Sequence, residues 1–396
     1  MLEIIIAGGL TLKASDIHLE AGETAGTFRL RIDGVLHTAF DRFEKSTYHS
    51  IITRIKLLSN LKLNIHGEAQ DGRFTIHAQG KAIEVRTSVI PSEYGETVVL
   101  RLLDPTSLKV NLEELGWRTD LLKIAKHEIE QPNGLILNTG PTGSGKTTTL
   151  YAFLQYVRNP EIKIITVEDP IEYHLAGISQ TQVDEEADYT FANGLRSILR
   201  QDPDVVLVGE IRDKDTAETA LNAALTGHLV FSTLHTNDSV GAIPRLLNLG
   251  AQAQILAPGL RLVIAQRLVR MLCKKCRKRV DLAPPLAEKI RSFIKALPDV
   301  FNKSEYGSPE VYEPVGCEDC QGLGYKGRTS VFELFSVTPE IQKLIYSTPT
   351  DFDLRDATRK QGMIFLQEDG VLKILKGATS VKEVEDVTGT IEWWVR

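Results

Sequence analysis

The chain has 396 residues, room for two or three domains, each with its own core. A quarter of it is charged, yet the formal net charge is only −6, so no global basic field marks a nucleic-acid binder. Four cysteines do not make a secreted disulfide scaffold, no apolar run approaches the ~20 residues of a membrane span, and the start (MLEIIIAGGL) lacks a basic signal region; a cytoplasmic protein is expected.

Residues 1–105 read as a small α+β domain. In FRLRIDGVL, Phe28, Leu30 and Ile32 alternate with Arg29, Arg31 and Asp33 before a turn at Gly34. Residues 44–63 have helical spacing, with Ile51, Ile55 and Leu58 on one side. Two further alternating strands, Ala82–Ile90 and Thr97–Leu103, are joined by PSEYGE, a hairpin loop by composition. Ile83, Val85, Thr87 and Val89 share one face, as do Val98, Leu100 and Leu102. That sends Arg86 and Arg101 to the opposite side, with Arg29 and Arg31. A solvated sheet face is the plain alternative for such a set.

LDPTSLKVNLEELGW is a connector, and residues 119–130 form a helix leading into the next domain. There Leu135–Thr139 is a short apolar strand, followed by Gly140, Pro141, Thr142, Gly143, Ser144, Gly145, Lys146 and Thr147, a complete GxxxxGK[ST]. Thr148–Val157 is helical, with Leu150, Phe153, Leu154 and Val157 on one face. Strand, glycine loop and helix are the context this motif requires. The glycines let backbone N–H groups turn toward a phosphate, and the helix points its positive end at the same anion. Lys146 is placed for the β- and γ-phosphates and the Thr147 hydroxyl for Mg²⁺, with Thr148 beside it in the helix. The chain therefore binds a nucleoside triphosphate.

Apolar strands and helices then alternate as in a parallel α/β sheet. Lys163–Val167 ends in Glu168-Asp169-Pro170; Asp204–Val208 follows the helix Phe191–Leu199 and ends in Gly209-Glu210; Leu229–Leu234 ends in His235. Carboxylates and a histidine at carboxyl ends of parallel strands are where ligands bind in such sheets. Hydrolysis needs one acidic group on the metal side and one to orient or deprotonate water. Glu210, after VVLVG, suits the metal and Glu168 the water, although the sequence allows the roles to exchange. His235 can contact the γ-phosphate; His228 joins the nucleotide set as an orienting residue.

Residues 271–330 change character. Cys273-x-x-Cys276 and Cys317-x-x-Cys320 are two equal pairs, the pattern of a four-thiolate zinc site. The basic residues around the first pair, from Arg270 to Arg279, suit partner docking or solvation better than nucleic acid. Residues 331–396 are assigned to helices, and the chain ends in IEWWVR.

ITVEDPIEYHLAGISQTQV (165–183), LRSILRQDPDVVLVGEIRD (195–213) and TGHLVFSTLHTND (226–238) resemble the aspartate box, Walker B and histidine box of the secretion ATPases. These are hexameric motors of type II secretion and type IV pilus assembly. ASDIHLE, QDGRF and LRLLD resemble blocks of that family's N-terminal domain, so the likeness covers nearly the whole chain. It implies a RecA-like domain with a parallel-sheet core (134–270), a PAS-like α+β domain before it, and a zinc-binding insert and helical region after it. It places Arg86 and Arg101 at a neighbouring subunit's ATP, and it matches Arg196, Arg200 and Arg212 to core arginines. The tetracysteine insert marks the secretion and pilus-extension motors among its members. Larger members carry a further N-terminal domain that docks on a membrane-associated partner, whereas here the match begins almost at once. Where many relatives have a basic residue and proline before QDGR, this chain has HGEA.

The expected protein is a cytoplasmic, Mg²⁺-dependent ATPase with bound Zn²⁺, working as a homo-hexamer on an inner-membrane platform protein and binding no nucleic acid. Swinging of its two main domains about the 104–118 connector would do the mechanical work. A RecA-like nucleic-acid motor with a zinc ribbon and a nucleotide-gated scaffold are the alternatives from other classes.

Overall fold

A computed structural model describes residues 1–78, 80–104 and 111–392. Residues 105–110 of the connector and Trp393 and Trp394 of the terminal IEWWVR lie outside the described residues. The chain divides into two compact units, Met1–Lys109 and Val110–Arg396, each built round its own sheet.

The first unit runs α1 (Leu2–Thr11), β1 (Asp16–Glu20), β2 (Ala25–Ile32), β3 (Val35–Glu44), α2 (Lys45–Leu58), β4 (Gln70–Ala78), β5 (Lys81–Ser92) and β6 (Gly95–Leu103). Its strands form one antiparallel sheet in the order β3-β2-β1-β6-β5-β4. The alternation read in the sequence sorts the side chains as expected. Ile17, Leu19, Leu30, Val85, Val89, Val98 and Leu100 are buried in one core with Ile5 and Ile6 of α1 and Ile51, Ile52 and Ile55 of α2. Helix α2 stops at Leu58, short of residue 63. Asn60 adopts a left-handed conformation (φ 58°), and the Leu61 N–H turns back to the Lys56 carbonyl at 2.9 Å, closing the helix end. The PSEYGE hairpin is tighter than its composition suggests: Ser92 pairs with Gly95, leaving Glu93 and Tyr94 as the loop.

A buried ion pair ties α2 to this hairpin. Lys56 Nζ lies 2.7 Å from Glu96 Oε1, with side-chain exposures of 1 % and 7 %. His66 Nδ1 meets the other Glu96 oxygen at 2.9 Å, and Lys56 also donates to the Ile65 carbonyl at 2.6 Å.

The second unit runs α3 (Thr119–Ile129), β7 (Gly134–Thr139), α4 (Lys146–Val157), β8 (Ile164–Glu168), β9 (Ser179–Gln182), α5 (Phe191–Leu199), β10 (Val205–Val208), α6 (Lys214–Leu225), β11 (Leu229–Leu234), α7 (Ala242–Asn248), α8 (Ala253–Gly259) and β12 (Leu260–Leu272). It continues through β13 (Lys278–Arg279), α9 (Pro284–Ala296), β14 (Tyr312–Glu313), β15 (Tyr325–Ser336), α10 (Pro339–Tyr346), α11 (Asp351–Lys360), α12 (Leu366–Leu375) and α13 (Val381–Thr388). The main sheet has the order β15-β12-β7-β11-β10-β8-β9, parallel throughout except for β15 at its edge.

This sheet is wider than the sequence reading. The apolar run LRLVIAQRLVRML is one long, largely buried strand, β12, which continues to Leu272. Its partner β15 reaches Ser336, so residues 331–336 are strand rather than part of a helical tail. They pair from Leu262↔Ser336 to Leu272↔Tyr325, and the cysteine pairs lie in the segment that connects the two strands at the Leu272–Tyr325 end. Between Pro339 and Thr388 the chain forms the four helices α10 to α13.

The ion pair gives the first prediction. Burial alone would push Glu96 up, but the Lys56 ammonium and the His66 ring hold it below the usual carboxylate range. Its contribution is therefore full at neutral pH and disappears as pH falls through that lowered value. Glu96→Gln, which leaves Lys56 buried without its counter-charge, should cost about 3 kcal/mol at pH 7. Denaturant melts of parent and variant at pH 7 should differ by that amount and converge at strongly acidic pH.

Candidate active site

Strand β7 is buried along its whole length and delivers Thr139 to the carboxyl edge of the sheet. The chain then turns through residues 140–145, with φ of 151° at Gly140, 79° at Gly143 and 91° at Gly145. A Cβ at Gly140 would also lie 2.6 Å from the Gln266 carbonyl, and one at Gly145 would lie 2.8 Å from the Gln266 amide nitrogen. Only glycine fits either place. Helix α4 starts at Lys146 without a side-chain cap, so the first-turn N–H groups face the loop with their dipole aligned.

Gln266 supports the loop from β12. Its side-chain Oε1 accepts from Asn138 of β7 at 2.9 Å and Thr149 of α4 at 2.8 Å, and its Nε2 donates to the Ser330 hydroxyl of β15 at 3.0 Å. Lys146 Nζ donates to the carbonyls of Gly140 at 2.8 Å and Pro141 at 3.1 Å. Burial pulls this ammonium down to about 8; Glu210 acts to raise it and Arg267 to lower it further. Ser144 is buried, Thr147 is exposed, and Pro141 and Thr142 form the exposed crest of the loop.

The strand ends supply the rest. Glu168 closes β8 at 3 % exposure, accepting from Thr166 Oγ1 at 2.6 Å, from Gln180 Nε2 at 3.1 Å and from the Tyr151 hydroxyl. Glu210 follows β10, and its two oxygens meet different groups: the Arg212 guanidinium on one and His235 Nε2, at 3.3 Å, on the other. Arg212 also faces Asp169 at 3.5 Å and lies over the Phe191 ring. The Thr139 hydroxyl accepts from the Thr236 N–H at 2.9 Å, tying the phosphate-loop strand to the loop that carries His235. A glycine loop with a lysine, flanked by two carboxylates at strand ends, can bind and hydrolyse a nucleotide.

Other expected residues lie elsewhere. His228 precedes β11, at the amino end of the strand whose carboxyl end carries His235. Six residues of strand put these ends ~20 Å apart. Its Nδ1 meets the Ala223 carbonyl at 3.0 Å, so it fixes the turn after α6, at the edge of the sheet opposite the phosphate loop. Arg196 donates to Asn193 at 3.0 Å and faces Asp215 at 3.8 Å. Arg200 closes the far end of α5, donating to the Arg196 carbonyl and the Ser197 hydroxyl. Neither residue is seen at the phosphate loop.

In the first unit, Arg101 Nε lies 3.0 Å from Asp16 Oδ1 and Arg86 Nε 3.3 Å from Glu84. Register aligns Arg31, Asp16, Arg101, Arg86 and Arg73 in one row across five strands. Arg73, within QDGRF, was legible as a member of this row only once β4 was paired with β5. Arg267 was also missed: on β12 it donates to the Gln266 and Asn237 carbonyls, joining the phosphate-loop support to the histidine loop.

The four cysteines converge. Sγ–Sγ distances are 3.9 Å for Cys273–Cys317 and 3.8 Å for both Cys276–Cys320 and Cys317–Cys320. Tetrahedral thiolates ~2.3 Å from a zinc ion would stand about 3.8 Å apart, and a disulfide would need ~2.0 Å. Backbone N–H groups of Gly316, Cys317 and Gly324 point at the sulfurs of Cys276, Cys320 and Cys320 at 3.2–3.3 Å, which stabilises thiolate charge. Lys275 and Lys326 share Asp319 beside them, each at 2.8 Å. The donor set fits one metal ion.

Comparison with known proteins agrees with this picture. The family model described as "Type II/IV secretion system protein" matches residues 1–386. Type II secretion system protein E of Aeromonas hydrophila is 43 % identical over 388 residues, 98 % of this chain and 75 % of that protein. Type II secretion system ATPase E of Vibrio cholerae is 43 % identical over 375 residues, 95 % of this chain and 72 % of that protein. Among solved structures, the pilus retraction motor PilT with bound ADP superposes with a TM-score of 0.63 at 27 % identity, covering 99 % of this chain and 98 % of that one. The Legionella pneumophila ATPase DotB shares the fold, with a TM-score of 0.69 at 21 % identity over 98 % of this chain and 94 % of that one.

Metal analysis of the purified chain should find about one Zn²⁺, as a single four-thiolate site requires. Cys273→Ser or Cys317→Ser should lower that content and raise proteolytic sensitivity between residues 273 and 324. A chain purified under reducing conditions without metal would contradict the assignment.

Proposed function

Because this chain belongs to the type II/IV secretion system protein family, we propose that it is an ATP-hydrolysing motor of type II secretion or type IV pilus extension. The convergence of Lys146, Glu168 and Glu210 on the carboxyl edge of one parallel sheet carries the hydrolytic part of the proposal. Backbone N–H groups of residues 140–147 bind the phosphates, and Lys146 offsets charge at the β- and γ-phosphates. Thr147 and Glu210 would hold Mg²⁺, which supplies charge neutralisation between those phosphates. Glu168 orients the attacking water. Three donors already fix the direction of its carboxyl group, so it acts by positioning, which suits a loose phosphoryl-transfer transition state. His235, paired with Glu210, responds to loss of the γ-phosphate.

The motor works as a homo-hexamer in the cytoplasm, held at the inner membrane through a platform protein. The secretion names of its relatives support this assignment, and among the described residues no helix is long and apolar enough to cross a membrane. The cysteine cluster favours the secretion and extension branch. Arg86, Arg101 and, from the register, Arg73 would stabilise phosphate charge when domain closure or a neighbour brings them to the site.

Lys146→Ala should abolish hydrolysis, while Glu168→Gln and Glu210→Gln should each lower steady-state turnover at least ~100-fold and still bind nucleotide. A phosphate-release assay with a nucleotide-binding measurement separates the two effects. Parental turnover in Glu168→Gln would remove that residue from the mechanism.

Arg101→Ala and Lys146→Ala chains, each nearly inactive alone, should regain part of the turnover when mixed. An intact loop then meets an intact arginine across a subunit boundary. Mixtures that stay inactive would confine the arginine to its own chain's site.

A further inference from the structure

The proposed mechanism does not account for the buried hydroxyl of Tyr151. Tyr151 lies on α4, five residues after Lys146, a rise of ~7.5 Å along the helix. Its side chain is 2 % exposed in the core of a parallel α/β unit, where a phenylalanine would bury as much apolar surface without a hydroxyl to satisfy. That hydroxyl donates to Glu168 Oε2. The other two donors to this carboxylate come from β8 itself (Thr166) and the neighbouring β9 (Gln180). Only the tyrosine comes from the helix whose first turn faces the phosphates.

We infer that Tyr151 is a positioning residue for hydrolysis: a rigid link from the phosphate-binding helix that sets where the Glu168 carboxylate stands relative to the bound γ-phosphate. Several features support the role. A carboxylate has about four lone-pair sites. Among the described residues three are taken by groups of this same unit, the buried Tyr151 and Thr166 and the half-buried Gln180, which leaves room for a water. The Tyr151 ring is fixed by burial, and burial followed by the Glu168 charge pushes its phenol well above its ordinary range, so it remains a donor throughout. Thr166 and Gln180 hold the opposite oxygen, Oε1, so loss of the tyrosine hydroxyl releases Oε2 and lets the carboxylate rotate about its terminal torsion. Lys146 and the loop amides are untouched by that change, so nucleotide binding and water alignment separate. The inference rests on Glu168 as the water-orienting residue.

The test is Tyr151→Phe in the full chain, assayed for ATP turnover and for affinity with a fluorescent ATP analogue. The expected result is a kcat ~10- to 100-fold below the parent, the scale of one lost hydrogen bond to a charged group, with KM and nucleotide affinity within about twofold. The double variant Tyr151→Phe/Glu168→Gln should be no slower than Glu168→Gln alone, because the role inferred for the tyrosine runs through that carboxylate. A double variant slower by the product of the two single effects overturns the inference. So does parental kcat in Tyr151→Phe where Glu168→Gln is inactive; the proposed function then survives. Parental turnover in Glu168→Gln removes the Glu168 assignment and this inference with it. If Tyr151→Phe loses its thermal unfolding transition, 3-fluorotyrosine at position 151 keeps the shape and alters the donor strength. An unchanged kcat in that protein overturns the inference as well.

Discussion

Everything at the site depends on holding the backbone of residues 140–147 in a conformation that turns its N–H groups toward one anion. An unsupported loop of this composition would sample many conformations, since glycine loses more freedom on folding than any other residue. Gln266 offsets that cost. Its buried amide joins β7, α4 and β15, and its backbone closes the space where a side chain at Gly140 would go. The parallel sheet is thus the scaffold that makes a phosphate site rigid before the phosphate arrives.

Electrostatics then divides the site into two parts with different jobs. Glu210 faces the Arg212 guanidinium, the His235 ring and the Lys146 charge, surroundings that suit the metal-side role proposed for it. Glu168 faces neutral donors in a nearly dry pocket, which fix its direction. Burial with neutral donors orients a group, whereas exposure to cations lets it exchange partners. The same division separates His235, exposed and paired at a carboxyl strand end, from His228, fixed in a turn at an amino end.

The helices after β15 belong to the same mechanical body as the phosphate loop. Glu333 of β15, wholly buried, accepts from the Ser239 N–H at 2.6 Å and the Leu366 N–H at 2.7 Å, joining the histidine loop to the start of α12. Asp369 of α12 accepts from Arg118 at 2.7 Å and the Phe332 N–H at 2.8 Å, and Lys373 donates to the Gly116 carbonyl at 2.6 Å. Trp117 stacks on Phe332 with ring centroids 3.6 Å apart. Residues 116–118 are therefore anchored within this unit by the partnered polar groups of Arg118, Asp369 and Lys373, whereas the buried Trp117 indole N–H has no partner among the described residues and its ring is held by stacking on Phe332.

By itself the sequence determined the local chemistry. GxxxxGK[ST] between an apolar strand and a helix has few physical readings, and period-2 alternation in residues 82–103 determined which side chains of β5 and β6 are buried. Paired CxxC spacings likewise announced a four-thiol cluster. Tertiary structure decided what depends on register and on strand order. The row from Arg31 to Arg73 exists because separate hairpins pair in one register, and residue spacing along the chain carries no trace of it. Tyr151 meets Glu168 because α4 packs back on the sheet; read along the helix it is one more apolar residue. His228 and His235 look alike in TGHLVFSTLH, and only the direction of β11 puts them at opposite edges. Seven residues apart on a helix they would share a face, but seven apart on a strand they are separated by the full depth of the sheet.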